Sequence, residues 1–185
     1  MKITELKKIL ETFDKKELVN IVNELAKLRK DNMDWLTTRF QDSKCNQKTI
    51  ETYKKKIHSG FYTPRGFPRG NSAEAKRAIS DFKQASKDKE AIIGLMIFYV
   101  ETGTDYLTYD DRNEQVYTSM ENTFENIIKY LLDLNDITII GNYKPRLEVI
   151  IANANCLGYG YQDSLKAMYE ELKPADDNKK GDAAI

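Results

Sequence analysis

The ten residues AIIGLMIFYV, positions 91–100, constrain the fold of this chain more than any other stretch. They carry no charge, and at helical spacing they are apolar on every side. A helix without a polar face has to be surrounded by other elements. Ten residues are also too few to cross a bilayer, which takes about twenty. The stretch therefore predicts a central helix with others packed around it.

The rest of the chain supplies candidates for those others. Residues 3–11 put Ile3, Leu6, Ile9 and Leu10 on one face. Asp14 then opens DKKELVNIVNELAKL, with Glu17 three residues on, an acidic version of the capping box. Behind that cap Leu18, Val19, Ile21, Val22, Leu25 and Leu28 form a wide apolar stripe. A third helix is expected around Asp34–Phe40, carrying the only Trp, and a fourth over Asn46–His58 with Ile50, Tyr53 and Ile57 as its seam. Ser72 is placed as the N-cap of NSAEAKRAISDFKQ, where Ala75, Ala78, Ile79 and Phe82 share a side. Ser86 is placed as the cap of the central helix, and GTDYLTYDD, 103–111, as a loop. The longest helix is expected over Arg112–Leu134, with Asp111 as its N-cap and Val116, Met120, Phe124, Ile127, Leu131 and Leu134 at steps of three and four. ITIIG, 137–141, is β-branched enough for a strand, but no second strand pattern exists to pair with it, so an extended connector is expected. Two further helices, near Pro145–Cys156 and Asp163–Leu172, are joined by LGYGY.

The expected fold is therefore all-α. A single domain over residues 1–172 should form a bundle or irregular stack of about eight to nine helices, built of helical hairpins and without significant sheet, followed by a polar tail at 173–185. Hydrophobic residues make up 41% of the chain and charged ones 31%, a balance that suits such a globular domain. The N-terminal segment MKITELKKIL is charged throughout and has no apolar core of the kind a secretory signal needs, so a cytoplasmic setting and no membrane association are expected.

Net charge is zero, yet the two halves differ. Residues 1–90 hold 21 Lys and Arg against 13 Asp and Glu, whereas 91–185 hold 8 against 16. Residues 44–77 are the basic extreme, and FYTPRGFPRG, 61–70, lies inside them. Arg65 and Arg69 can fork onto phosphate or carboxylate oxygens. Lys76 and Arg77 follow in the first turns of the next helix, whose N-terminus offers free amides to an anion. Aromatic residues interleaved with arginine also suit stacking on bases. Against this, Phe and Pro can pin a loop onto a core, and the arginines can pair with the acidic segment 101–114. A packed connector is the plainer expectation.

Catalytic patterns are sparse. His58 is the only histidine, and Cys45 and Cys156 are isolated, far from the ligand spacing of structural zinc sites. No GxSxG surrounds a serine, and neither GxxxxGK[ST] nor a strand-borne GxGxxG occurs. His58 near a helix C-terminus fits a residue favoured by the helix dipole. Glu101, Asp105, Asp110, Asp111 and Glu114 fall close together and could offer oxygens to a hard cation, but their spacing is not that of an EF-hand. No metal, cofactor or catalytic residue is assigned.

Several segments, taken in order, resemble a known family. ELKKIL and KKELVNIVNEL open the series, AKRAISDFK (75–83), FYVETG (98–103) and YTSMEN (117–122) continue it, and LGYGYQDSL with MYEEL closes it. Together they resemble an uncharacterised family of small bacterial proteins, classified only as a domain of unknown function, over about residues 1–172. The resemblance implies an all-helical fold and brings no reaction, cofactor or site residue. Three functions are weighed on this basis. The first is a cytoplasmic helical module that binds a protein partner and catalyses nothing. The second is an anion or nucleic-acid binder using 44–77, with Arg65, Arg69, Lys76 and Arg77 as contacts. The third is an enzyme built on the carboxylates of 101–114.

Overall fold

The computed structural model describes residues 1–40 and 47–172. Cys45, the helix start expected at Asn46 and the 173–185 tail lie outside them. The described residues form nine helices: α1 (Ile3–Leu10), α2 (Lys15–Leu28), α3 (Lys30–Arg39), α4 (Gln47–Phe61), α5 (Ser72–Ala85), α6 (Lys89–Leu107), α7 (Glu114–Leu134), α8 (Ile137–Asn153) and α9 (Tyr161–Glu170). Among these residues the only extended pairing is an isolated bridge between Tyr62 and Pro68. The fold is all-α.

The apolar run at 91–100 is the middle of α6, and α6 is the axis of the molecule. It packs against α4, α5, α7 and α8. Ile93, Leu95, Ile97, Tyr99, Val100 and Leu107 are all fully buried, so every side of the helix is covered. The stripe of α7 behaves as its spacing predicts: Val116, Met120, Phe124, Ile127 and Leu131 are buried, with Leu134 half-buried at the end. α9 closes the far side of α7. There the Tyr161 hydroxyl and Thr104 Oγ1 share a buried hydrogen bond of 2.9 Å, and the Gly158 N–H donates to the Tyr117 hydroxyl. α4 and α5 cross so closely that a Cβ on Gly60 would stand 2.8 Å from the Ala75 backbone and side chain. Only glycine permits that approach without pushing the helices apart.

Several expected boundaries shift, each for a local reason. α3 begins at Lys30, four residues before the expected Asp34. The caps are Asn71 rather than Ser72 for α5, and Asp88 rather than Ser86 for α6; each side chain accepts from the backbone N–H three residues on. α6 continues through Leu107, so the first half of the expected loop 103–111 is helical. Asn113, not Asp111, caps α7 by accepting from the Val116 N–H. The largest correction is at 137–141, which is the first part of α8 rather than an extended connector. Asn135, left-handed at φ 49°, ends α7, and Asp136 immediately caps α8 through the amides of Thr138 and Ile139. Ile139, Ile140 and Tyr143 then pack on the core, and the Tyr143 hydroxyl donates to the Glu90 carbonyl at 2.9 Å. That tertiary contact outweighs the poor helix propensity of the β-branched run. α8 also accommodates Pro145, which withholds one hydrogen bond from the carbonyl of Gly141.

Helices α4 to α9 make the closed body. α1, α2 and α3 form an arm: α2 packs on α3, α3 reaches α5, and no described helix packs substantially against α1.

Candidate interaction surface

The segment FYTPRGFPRG is a compact cap on the C-terminus of α4. The end of a helix leaves carbonyls without partners, and this loop supplies them. The amides of Arg69 and Gly70 donate to the Phe61 carbonyl, and that of Asn71 donates to Gly60 at 2.7 Å. The Arg69 guanidinium donates to the Ser59 carbonyl and pairs with Glu74 at 2.9 Å. Between these, Thr63–Gly66 is a tight turn closed by a 2.9 Å bond from the Gly66 amide to the Thr63 carbonyl, with Gly66 at φ 80°. Phe61 and Tyr62 are buried and anchor the loop, while Phe67 at the turn is 64% exposed.

The four candidate cations do not converge. Arg69 is occupied as described. Arg65 sits exposed in the turn. Lys76 lines an open cleft with Glu114, Gln115, Thr118, Ser119 and Asn122, between α5 and α7. Arg77 lines a different cleft of about 470 Å³, where Asp31, Lys56, Ser59, Glu74 and Asp81 come together from α3, α4 and α5. Carboxylates line that second cleft as fully as cations do.

The acidic segment is likewise divided among separate partners. Glu101 holds Arg146 through two parallel bonds of 2.8 and 2.7 Å. Asp105 accepts from the Tyr62 hydroxyl and Asp110 from the Tyr106 hydroxyl. Burial raises the pKa of Tyr62, and the bond to Asp105 adds to the effect. Among the described residues Arg65 and Arg69 do not pair with this segment, as they could have; Arg69 pairs with Glu74 and Arg146 pairs with Glu101. Among the described residues no three His, Cys, Asp or Glu side chains group as metal ligands would. His58 is exposed in the last turn of α4, its ring 5.0 Å from that of Tyr62.

The arm presents a different kind of surface. Of the seventeen large apolar side chains exposed among the described residues, eleven lie within residues 1–40. Ile3 is 85% exposed, Val19 and Leu25 50%, Leu28 71% and Phe40 79%. From α1 and α2 only Ala26 is buried. An ordinary monomer scatters such side chains singly; here they gather on three consecutive helices and the residues that flank them. Complete burial of one such side chain is worth about 1.5–3 kcal/mol, so eleven lying about half exposed leave on the order of 10 kcal/mol of burial unmade. Leu18, Val19, Val22 and Phe40 with the stem of Lys15 also line an apolar groove of about 280 Å³ between α2 and the end of α3.

A polar joint ties this arm to the body. Lys56 of α4 reaches both Asp31 at 2.7 Å and Asp34 at 2.9 Å on α3, while lying 5.0 Å over the Tyr53 ring. Burial by itself would lower the Lys56 pKa, but the bonds to the two carboxylates outweigh it and raise it. The same bond, with the charge behind it, holds Asp31 below the ordinary carboxylate range.

A family model built from related sequences matches residues 1–173. The chain belongs to DUF6155, a family of unknown function. No curated protein and no solved structure matches it. The DUF6155 match takes in the arm together with the body, so α1 to α3 are part of the family's unit and not an appendage to it. No helix among the described residues of this DUF6155 member is long and apolar enough to cross a membrane. Hydrophobic period marks the apolar stripes of the arm; that they lie largely exposed is visible only once the body has closed without them.

Proposed function

We propose that this DUF6155 chain is a helical protein-interaction module, in which a closed body displays an apolar arm to a protein partner. The observation that carries the reading is the segregation of exposed apolar surface. The core from α4 to α9 is buried throughout, whereas α1 and α2 keep their apolar stripes in solvent. Exposed apolar patches larger than those of ordinary monomers mark docking sites. The partner that fits is itself apolar and protein in nature, such as an amphipathic helix laid into the groove beside Val19 and Val22. The cytoplasmic setting expected from the charged N-terminal segment belongs to the same proposal.

A photo-reactive benzoylphenylalanine at Val19, in cells producing the chain, tests the reading. Irradiation is expected to give a discrete covalent adduct from position 19 and none from the same group at Lys166, exposed on α9. Absence of any adduct from the arm would end the proposal. The anion-binding alternative has support from the exposure of Arg65, Lys76 and Arg77. Retention on heparin that falls steeply with salt, and is lost in a variant with all three replaced by alanine, would favour it instead.

A further inference from the structure

We infer that the occupant of the arm is a second copy of the same chain, giving a two-fold dimer built on α1, α2 and the end of α3. This rests on the interaction-module reading and names its partner.

Three observations select a second copy over other apolar partners. The first is shape. A two-fold contact uses one patch twice, so that patch has to carry both a projecting and a receiving feature. The arm carries both. Ile3, Leu6 and Ile9 stand out from α1, against which no described helix packs substantially, and Leu18, Val19, Val22 and Phe40 form the groove. α1 of each copy can fill the groove of the other, and the short link between α1 and α2, residues 11–14, lies outside both helices.

The second is charge. Residues 1–40 hold nine Lys and Arg and seven Asp and Glu, interspersed along the helices. A strongly charged partner of either sign finds no matching field there, whereas a second arm brings both signs in the same proportion. The whole chain has a net charge of zero, so no net charge drives two copies apart at long range, and the arms themselves carry only two more cations than anions each. The third is extent. The burial still to be made by the arm is of the same order as the cost of bringing two chains together. A dimer makes it twice, once for each copy.

Sedimentation of the full chain tests this directly. Over protein concentrations up to about 100 μM, the mass is expected to rise from the 21.4 kDa of one chain to twice that value. Val22→Glu and Leu25→Glu, at positions 43% and 50% exposed, are each expected to move the midpoint of that rise to at least about tenfold higher concentration. Helical content should stay unchanged in both, and Lys166→Glu on the body should leave the midpoint where it was. A wild-type chain that remains monomeric across the range would overturn the inference, as would either arm variant dimerising like wild type. The adduct from position 19 separates this inference from the broader reading. An adduct of two identical chains supports both. An adduct with a different protein overturns self-association and leaves the interaction module standing, and no adduct at all removes both.

Discussion

The arm and the body use the same kind of helix to opposite ends. α7 and α2 are both amphipathic, both capped at the N-terminus by an Asn or Asp side chain, and both carry a stripe at steps of three and four. In α7 the stripe meets α6 and disappears from solvent; in α2 it packs substantially on the short α3 alone among the described helices and stays largely exposed. What separates them is the presence of α6. A helix apolar all round has to be enclosed, and the helices that enclose it become body. α1 to α3 are left over from that enclosure; among the described residues they are held by the Lys56 joint, by the Thr38–Tyr53 bond and by the packing of α3 on α5. Amphipathicity alone therefore does not make a helix part of a core. It makes the helix require a partner, which can lie in the same chain or outside it.

The sharpest way to break the comparison is to truncate the body. Phe124 of α7 is fully buried, so Phe124→Ala removes its contacts and leaves a cavity that the close-packed surroundings fill only in part. The expected loss is about 3–5 kcal/mol in urea unfolding, a large share of the stability of a domain this size. A loss below about 1 kcal/mol would mean that the body is as loosely packed as the arm.

A smaller effect is expected at the joint. Lys56→Met keeps the stem over Tyr53 but withdraws the cation from Asp31 and from Asp34, which is largely buried. Leaving a mostly buried carboxylate without its cation costs about 1–2 kcal/mol, with the exposed Asp31 adding little. The readout is amide exchange, which should quicken across α3 and leave α6 and α7 unaltered. The pH dependence follows from the shifted groups. Asp31 titrates lower in the folded protein than in the unfolded one, so its contribution is complete above the ordinary carboxylate value near pH 4 and lost as pH falls through the folded value. Lys56 is raised, so its contribution is complete below its ordinary value and lost only as pH climbs through the higher folded one. Between those limits the joint is intact. Wild type and variant should therefore differ at neutral pH, and the share of that difference due to Asp31 should begin to fade below about pH 4 and be gone once the pH is below its lowered folded value. Equal exchange from α3 in the two proteins at neutral pH would show that the ion pairs do not hold the arm.

How much of this could be read in advance depended on whether the signal was local. The central position of α6 and the buried face of α7 followed from hydrophobic period, because a long and regular pattern leaves little choice. Hydrophobic period does not reveal the helix at 137–144, because β-branched residues open it and a proline follows. The signal that would have found it was Asn135–Asp136, a residue tolerant of the left-handed conformation next to an efficient cap. Ser72 and Ser86 lost the caps to Asn71 and Asp88, since two competent residues stood near each start. The pairing of Glu101 with Arg146 spans forty-five residues, and no local rule predicts it. The four candidate cations are close in sequence but not in space. α5 then turns adjacent residues to different sides, so Lys76 and Arg77 open onto different clefts. The exposure of the arm was the least accessible of all, because a stripe records which face is apolar and nothing about what covers it.

The smallest expected effect is also the most telling for the contrast between arm and body. Leu28 closes the stripe of α2 and is 71% exposed. Leu28→Ala should therefore change the unfolding free energy by no more than about 0.5 kcal/mol when measured at high dilution, where each chain stands alone. The same substitution in a core would cost several times as much. Repeating the urea titration at increasing protein concentration adds a second reading. If copies associate through the arm, wild type gains stability with concentration by mass action, and the variant gains less because it buries less on association. A loss of several kcal/mol at high dilution would mean that the body covers Leu28 in solution, and the distinction between arm and body would fall with it.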